Sequence, residues 1–314
     1  MSIETQLPQV EEVRIDRDLS IRRLVDVYRK AHGFMASHLV KAIDILLEMK
    51  READLRVLTF TANIVATGFR GLLAQLIESK VFNLVITTCG TIDHDIAKSF
   101  GGKYLKGWFD ANDVELKERG VHRLGNIFIP MESYGPTIER AVYRMLDELI
   151  EERGRDYVWG IRELLTEFGK RINDRNSILR AAYVANVPIY VPGFVDGAFG
   201  TALFTYSRIR GLRVDVFKDM QELADHFFGA KKLGALIIGG GISKHHAIWW
   251  AQFKEGFDYV VYITTAIEWD GSLSGARPRE AITWGKIKSR GRTAFVYCDA
   301  TIVLPIIAYM LLYE

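Results

Sequence analysis

The sequence predicts an α/β protein with a doubly wound, mostly parallel sheet, helices on both faces of the sheet and helical additions at the N-terminus. Three observations predict this fold class. Short apolar runs recur along the chain, as buried strands do. Amphipathic stretches with apolar residues three and four apart lie between these runs, and this spacing is typical of helices. Residues 56–88 follow the order strand, helix, strand, and such a βαβ unit requires a parallel sheet.

The predicted elements begin with a long helical stretch over residues 20–49, which a break near Gly33 divides. Strands are predicted from short aliphatic and β-branched runs at 56–61, 83–88, 188–191, 235–238, 259–264 and 293–297. Helices are predicted at 68–80, at 136–172 with a break near Gly154, and at 201–210, 219–228, 243–253 and 279–285. The apolar segment 300–313 is shorter than the ~20 residues that span a bilayer, so we expect a buried helix.

Composition and charge exclude several classes of protein. The 314 residues are 49% hydrophobic, and 41 Lys and Arg nearly balance 39 Asp and Glu, which gives a net charge of +2. This balance argues against a nucleic-acid partner, which usually requires a large basic face, and against a polybasic membrane anchor. Cys89 and Cys298 lie far apart and match neither a disulfide framework nor a zinc-site spacing. We therefore expect reduced thiols in a cytoplasmic protein. For the domain organisation, we expect a flexible segment over 1–19 and a single domain over 20–314.

The residues that follow the predicted strands point to one shared site. In a doubly wound sheet, ligands bind at the carboxyl ends of the strands. The segments at these ends are ANIVATG (62–68), CGTIDHD (89–95), PGFVDGAFG (192–200), GGGISKHH (239–246), TAIEWDGSLSGARPREAITWGK (265–286) and CDAT (298–301). Each contains Gly, Thr, Asp or His, so the pattern predicts that they converge around a ligand.

The glycine run and two acids suggest a nucleotide site, although each has a structural alternative. The run 239–241 allows either close approach of an anion to the backbone or a tight turn between strand and helix. The usual GxGxxG fingerprint is absent. Asp196 and Asp299 are suited to accepting ribose hydroxyls, but either could instead cap a helix.

A histidine pair and one lysine suggest acid–base and imine chemistry. His245 and His246 are adjacent at a helix start, so they point in different directions, and one can face a crevice while the other packs. Lys286 follows Trp284 in a largely apolar segment, where desolvation favours the neutral amine that imine formation requires. The alternative for Lys286, taken alone, is an ordinary surface lysine.

Taken together, these segments resemble the deoxyhypusine synthase family. The resemblance is carried by GGGISKHH (239–246), TTAIEWDGSLSGARPREAITWGKI (264–287) and YCDAT (297–301). Looser agreement comes from TANIVATG (61–68), TTCG (87–90) and PGFVDGAFG (192–200), and the resemblance extends from about residue 20 to the C-terminus. The motif SGARPxEAxxWGK is long, and it favours a functional Lys286 over a surface lysine.

The resemblance implies a Rossmann-like fold and an NAD-dependent transferase without a metal. It implies that the aminobutyl group of spermidine is transferred, through an imine on an enzyme lysine, to one lysine of the translation initiation factor 5A precursor, forming deoxyhypusine. It also implies a homo-oligomer, a tetramer built from two dimers with active sites at the dimer interface. No nucleic-acid or membrane partner is expected.

The resemblance also implies roles for individual residues. Lys286 is the covalent nucleophile and His245 assists proton transfer. The implied substrate-binding residues are Glu280, Trp284, Tyr262, Gly271, Ser272 and Asp93. The implied cofactor-binding residues are Ala62, Asn63, Ala66, Thr88, Cys89, Gly90, His94, Asp196, Gly240, Thr265, Ala266, Asp270, Ser274, Asp299 and Ala300.

Several positions depart from the family pattern. Thr201 and Leu273 stand where the family usually has aspartates that pair with the amine substrate. An ammonium group buried without a partner is costly, so these departures bear on the choice of amine. Two alternatives therefore remain open. One is an aminoalkyl transferase that uses another donor or acceptor, such as agmatine or a free diamine, and the other is a non-catalytic oligomer that binds NAD.

Overall fold

The chain, described over residues 7–314 by a computed structural model, alternates strands and helices for most of its length. The strands are β1 (Leu55–Phe60), β2 (Leu84–Thr87), β3 (Leu105–Lys106), β4 (Val121–Leu124), β5 (Ile127–Pro130), β6 (Val158–Trp159), β7 (Ile189–Tyr190), β8 (Arg213–Val214), β9 (Leu233–Ile238), β10 (Phe257–Thr264) and β11 (Ile287–Tyr297). The helices are α1 (Ile21–Ala31), α2 (Phe34–Glu52), α3 (Asn63–Ala66), α4 (Arg70–Glu78), α5 (Cys89–Ser99), α6 (Asp113–Glu118), α7 (Gly135–Arg153), α8 (Ile161–Arg171), α9 (Ile178–Ala185), α10 (Ala198–Arg210), α11 (Phe217–Gly229), α12 (Gly241–Gln252), α13 (Pro278–Thr283) and α14 (Ala300–Tyr313).

Six strands form a central sheet in the order β7-β2-β1-β9-β10-β11, and every pairing between them is parallel. Counted along the chain, this order is 3-2-1-4-5-6, the arrangement of doubly wound dinucleotide-binding sheets. The chain reverses direction across the sheet between β1 and β9, where Thr59 pairs with Ile237. Both the predicted fold class and the predicted parallel sheet are confirmed, and the crevice for a ligand lies at this switch point.

Apolar residues cover both faces of the sheet, as the uninterrupted hydrophobic strands require. Alternate residues of β1 point to opposite faces, with Leu58 in one buried cluster and Val57 in the other. The larger cluster includes α2, α4, α5 and α14, and the smaller one includes α11, α12 and α13. Helices on both faces, preceded by α1 and α2 as N-terminal additions, match the prediction.

The breaks predicted near two glycines are confirmed. Helix α1 ends at His32, which adopts a left-handed conformation with φ of 48°, and α2 begins directly after Gly33. Gly154 ends α7 with φ of 83°, before the short strand β6. Residues 7–19 contain neither helix nor strand, and residues 1–6 lie outside the described range. The flexible segment and the single-domain boundary stay predictions.

Several elements were not predicted. Residues 105–130 form a small antiparallel sheet in the order β3-β5-β4, with α6 before its hairpin. Strand β11 begins at Ile287, earlier than the predicted start at 293, and α3 precedes α4. No helix was predicted for the segment CGTIDHD, but it forms the first seven residues of helix α5. Within residues 7–314, no helix combines the length and apolarity that crossing a bilayer requires.

Candidate active site

A cavity of about 450 Å³ lies at the switch point of the sheet, beyond the carboxyl ends of β1, β9 and β10. Short side chains and backbone line much of it, including Thr61, Gly239 and Thr264. Of the residues assigned to the cofactor, the cavity is lined by Asn63, Thr265, Asp299 and Ala300. Ligands bind at this position in doubly wound sheets.

Two polar groups near this crevice have capacity for further hydrogen bonds. Asp299 caps α14, since its Oδ1 accepts hydrogen bonds from the backbone N–H and the hydroxyl of Thr301 at 2.8 and 2.9 Å. Its Oδ2 has no hydrogen-bond partner within residues 7–314, so capping leaves one oxygen for a ribose hydroxyl. The buried hydroxyl of Thr88, at the end of β2, also has no partner among the described residues.

The glycine run after β9 serves two purposes. Gly239 lines the crevice with φ of +80°, a conformation that favours glycine. Gly240 packs against the segment that follows β10, because a Cβ there would lie 2.1 Å from the Ser274 hydroxyl and 2.6 Å from its Cα. The tight turn between β9 and α12 is made by Gly239 and Gly241, with φ of +80° and +63°, while close packing requires glycine at position 240 and Gly239 also borders the space for a ligand.

Helix α5 buries three assigned residues, and none of them lines the cavity at the switch point. Asp93 accepts hydrogen bonds from the backbone N–H groups of Ala198 and Phe199 at the start of α10, at 3.0 and 2.7 Å. Burial raises the pKa of Cys89 to about 12, so its thiol is protonated at neutral pH. Burial lowers the pKa of His94 to about 4, and the His94 ring is hydrogen-bonded to a tyrosine hydroxyl. Their assigned roles in binding stay predictions.

Most of the remaining assigned residues lie in loops at the same edge of the sheet, while Ala66 lies in α3 and Gly90 in α5. Asp196 is exposed after β7, and Gly197 rather than Asp196 occupies the N-cap of α10, so the capping alternative fails for Asp196. Asp270 accepts a hydrogen bond of 2.6 Å from the backbone N–H of Ser272, which closes a turn around Gly271. The other positions assigned to the cofactor are Ala62, Ala66, Gly90 and Ala266, and their contact with it stays a prediction.

A second cavity, of about 320 Å³, lies under α12 and α13 on the face of the smaller apolar cluster. We call it the amine cavity. Strand β10 separates it from the crevice, since Tyr262 lines the amine cavity and Ile263 lines the crevice. Both assigned catalytic residues and three assigned substrate-binding residues line it together: His245, Tyr262, Glu280, Trp284 and Lys286.

Lys286 is buried, with 8% of its surface exposed. Its backbone N–H donates to the carbonyl of Ala281 and its carbonyl accepts from Phe257, which fixes it between α13 and the sheet. Its Nζ lies 5.2 Å from the centroid of the Trp284 ring and makes no hydrogen bond to any residue within 7–314. The surface-lysine alternative is therefore wrong, and the amine is sheltered without being held by a protein acceptor.

Lys244, which sequence reasoning missed, lies in the same cavity and is bound very differently. Its Nζ donates to the carbonyl oxygens of Leu273 and Ala276 at 2.6 and 2.9 Å, and it lies 4.0 Å from the centroid of the Tyr262 ring. Burial lowers the pKa of Lys244 to about 8. The available signal was a lysine between Ser243 and the histidine pair on a helix that must pack against the sheet.

The two adjacent histidines separate as expected. His245 is exposed at the amine cavity, where partial burial and then the charge of Lys286 lower its pKa, so its ring is neutral at pH 7 and can accept a proton. The His246 Nε2 accepts a hydrogen bond of 3.1 Å from Trp250, and burial lowers the pKa of His246 to about 4. His245 therefore faces the cavity, and His246 packs against Trp250.

Groups that could bind an amine are present, although fewer than the family pattern suggests. Glu280 is the carboxylate among the described lining residues, and the buried Tyr262 hydroxyl has no hydrogen-bond partner within residues 7–314. Burial and then the charge of Glu280 raise the pKa of Tyr262, which keeps the hydroxyl protonated. Leu273 lines the same cavity, whereas Thr201 lies in the first turn of α10 with its hydroxyl bonded to the Gly197 carbonyl.

Comparison with known families is decisive for this chain. The family model described as "Deoxyhypusine synthase" matches residues 23–311. The chain belongs to the deoxyhypusine synthase family. Members of the deoxyhypusine synthase family transfer an aminobutyl group, so the chain is a transferase, and membership implies a polyamine donor and a protein substrate.

Individual relatives agree with this assignment. A "Probable deoxyhypusine synthase" of Sulfolobus acidocaldarius is 56% identical over 303 residues, which is 96% of this chain and 96% of the relative. One of Aeropyrum pernix, with the same name, is 56% identical over 311 residues, 98% of this chain and 99% of the relative. A crystal structure assigned to deoxyhypusine synthase, from Entamoeba histolytica, has a TM-score of 0.66 at 23% identity and covers 96% of each chain, which shows a shared fold.

Proposed function

We propose that this chain is an NAD-dependent transferase that moves the aminobutyl group of spermidine to one lysine of the translation initiation factor 5A precursor, forming deoxyhypusine. The observation that carries the proposal is the buried, unbonded amine of Lys286, which shares a cavity with His245, Tyr262, Glu280 and Trp284. The crevice at the switch point lies across β10 from this cavity and offers the short side chains and free oxygens that NAD requires.

Lys286 and His245 perform the covalent steps. NAD would be held by Asn63, Thr265, Asp299 and Ala300, which line the crevice, and it would supply the oxidation of spermidine and the later reduction of the product imine. The Lys286 amine attacks the oxidised carbon, and 1,3-diaminopropane leaves with the electrons of its C–N bond and a proton. The neutral His245 ring accepts and returns protons in these exchanges. The acceptor lysine then displaces Lys286 from the imine carbon.

The amine cavity supplies recognition and shelter. Glu280 pairs with the terminal ammonium of the aminobutyl group, and the Trp284 ring contacts its methylenes. The 8% exposure of Lys286 limits the access of water, which would hydrolyse the imine. Trp249, Phe253 and Trp284 are exposed around the cavity, which supports a homo-oligomer that buries this face. We place this enzyme, as a tetramer, in the cytoplasm.

A second candidate function is aminoalkyl transfer with another amine. Leu273 lines the amine cavity where a carboxylate is expected, and Lys244 and Arg277 are cations of the same lining. A donor with two or three ammonium groups then meets one lining carboxylate, Glu280. This observation favours a different donor or acceptor, such as agmatine or a free diamine.

One labelling assay distinguishes these functions. The protein is incubated with NAD and radiolabelled spermidine or agmatine, with and without the factor precursor, and covalent imines are trapped with borohydride. Label from spermidine that passes to the precursor is expected. Label only from agmatine, or transfer to a free diamine, supports the second function. NAD binding without label from any amine contradicts both and leaves a non-catalytic NAD-binding oligomer.

A further inference from the structure

Lys98, in the last turn of α5, makes three hydrogen bonds to consecutive backbone carbonyls at the end of α3. Its Nζ donates to the carbonyl oxygens of Val65, Ala66 and Thr67 at 2.9, 2.7 and 2.6 Å. An ammonium group has three protons, so this set satisfies the side chain completely. The Lys98 side chain therefore connects α5 to α3, two helices that are far apart in sequence.

Helix α3 needs stabilising contacts from outside the helix because it is only four residues long. The last carbonyls of any helix lack partners within it, and so short a helix has little stability of its own. The hydroxyl of Thr67 bonds to the carbonyl of Ile64 at 2.6 Å, and Lys98 supplies the partners for the three carbonyls that follow. A cation at this end is also favoured by the helix dipole.

The same helix α5 holds α3 at its other end. Gly90, in the first turn of α5, lies so close to Ala62 that an added Cβ would be 2.8 Å from the Ala62 Cβ. The position of α3 is therefore determined by α5 at both ends. Asn63, Ile64 and Thr67, which belong to α3 or follow it directly, line the crevice at the switch point.

The surroundings of Lys98 are those of a half-buried structural cation. Its Nζ lies 4.5 Å from the centroid of the Tyr104 ring. Burial, followed by the charge of Arg70, lowers the pKa of Lys98 to about 8, and the charge of Asp95 opposes this change. A lysine that is desolvated in this way and makes no ion pair within residues 7–314 is retained for the carbonyls that it binds.

We propose that Lys98 is a positioning residue for the dinucleotide: it holds α3 in the conformation that forms one wall of the crevice. The inference rests on the proposed function, because it takes NAD to be the occupant of the crevice. Lys98 does not line the crevice, so it acts through the backbone of 65–67 rather than through contact with NAD.

The test compares Lys98→Met with a matched control, Lys50→Met. The Nζ of Lys50 also donates to a backbone carbonyl, that of Leu311 at 2.7 Å, but it joins α2 to α14 away from the crevice. Thermal unfolding and calorimetric titration with NAD are measured for the wild type and both variants. We expect both variants to unfold at a lower temperature than the wild type. We expect only Lys98→Met to bind NAD about tenfold more weakly, because a tenfold smaller fraction of its molecules would have α3 in the conformation that binds NAD.

The outcomes separate this inference from the proposed function. A wild type that does not bind NAD overturns both. A wild type that binds NAD, with a folded Lys98→Met variant whose affinity is within twofold, overturns the inference alone. If Lys98→Met does not fold, Lys98→Gln keeps one amide donor for these carbonyls, and we expect a smaller NAD-specific loss. An equal loss of NAD affinity in Lys50→Met would also contradict the inference, because it would show that Lys98 affects NAD binding only through the stability of the whole fold.

Discussion

At the scale of single residues, surroundings give the same side chain different chemistry. Lys244 and Lys286 line one cavity, but two carbonyls hold the amine of Lys244, while that of Lys286 has no hydrogen-bond partner within residues 7–314. His245 and His246 are neighbours on α12, and one faces the cavity while the other accepts a hydrogen bond from a tryptophan. The motif supplied Lys286 and the histidine pair as candidates but not Lys244, and only burial and hydrogen-bond partners distinguish these side chains.

His246 should make the fold sensitive to acid. Its pKa is lowered to about 4 by burial and then by the charge of His245, whereas in the unfolded chain it is about 6.5. The unfolded state therefore binds more protons between these values, so the stabilisation is complete above pH 6.5 and is lost as pH falls towards 4. The variant His246→Gln keeps an acceptor for the Trp250 N–H. Between pH 6.5 and pH 4, its free energy of unfolding should fall by roughly 2 kcal/mol less than that of the wild type.

Denaturant unfolding at pH 7, 5.5 and 4 measures this difference. His94 is buried with a similarly lowered pKa, so some acid sensitivity should persist in the variant. Identical pH profiles for the wild type and His246→Gln would show that His246 does not titrate differently on folding.

At the scale of elements, the strands of the central sheet were predictable, but the small antiparallel sheet over 105–130 and the buried polar helix α5 were not. Short, mostly apolar runs predicted β1, β9 and β10, because strands buried on both faces are apolar over most of their length. The pattern does not predict α5, because its Thr, Asp and His residues follow a strand directly, as those of a ligand-binding loop do. Its acids instead bind the first turns of other helices: Asp93 that of α10, and Asp95 that of α9 at 3.0 and 2.9 Å. Such partners lie far away in sequence and appear only in the folded chain.

The packing of two loops against each other should be sensitive to a single methyl group. In Gly240→Ala, the new Cβ would lie 2.1 Å from the Ser274 hydroxyl and 2.6 Å from its Cα, so backbone must move. We expect the variant to be destabilised by about 1–3 kcal/mol, as overpacking usually costs, and to bind NAD more weakly. Differential scanning calorimetry with and without NAD measures both effects.

Gly229→Ala is the matched control for this substitution. Gly229 ends α11 with no neighbour within 4 Å of the added Cβ, so the replacement should be neutral or slightly stabilising. If Gly240→Ala unfolds at the same temperature as this control, the contact between the glycine turn and Ser274 is not tight in solution.

At the scale of the whole molecule, the doubly wound sheet brings distant segments to one edge, and the surface beside the amine cavity is apolar. The strand order 3-2-1-4-5-6 places residues 61, 239 and 299 around a single crevice, which the βαβ pattern predicts once the sheet is parallel. Sequence could not predict the exposed aromatic rings next to the cavity, because an exposed and a buried aromatic residue look alike in a motif. Phe253 is 50% exposed and lies 5.6 Å, between ring centroids, from Trp249.

Phe253→Asp should therefore dissociate the proposed homo-oligomer. A carboxylate at this position opposes the burial of the apolar face between subunits. We expect the molar mass from light scattering to fall, and aminobutyl transfer to fall with it. The control is Val114→Asp, because Val114 is 69% exposed on α6, remote from the amine cavity. A Phe253→Asp variant with the wild-type mass and activity would contradict an interface on this face.

The central claim is that Lys286 carries the aminobutyl group, and mapping the trapped adduct tests it most directly. The protein is incubated with NAD and labelled spermidine, reduced with borohydride and digested, and the modified lysine is located by mass spectrometry. The label should lie on Lys286 and disappear in Lys286→Ala, while Lys288→Ala, whose lysine is bound to Asp258, still reacts and NAD affinity stays within severalfold. Label on Lys244, or label that persists in Lys286→Ala, would contradict the account.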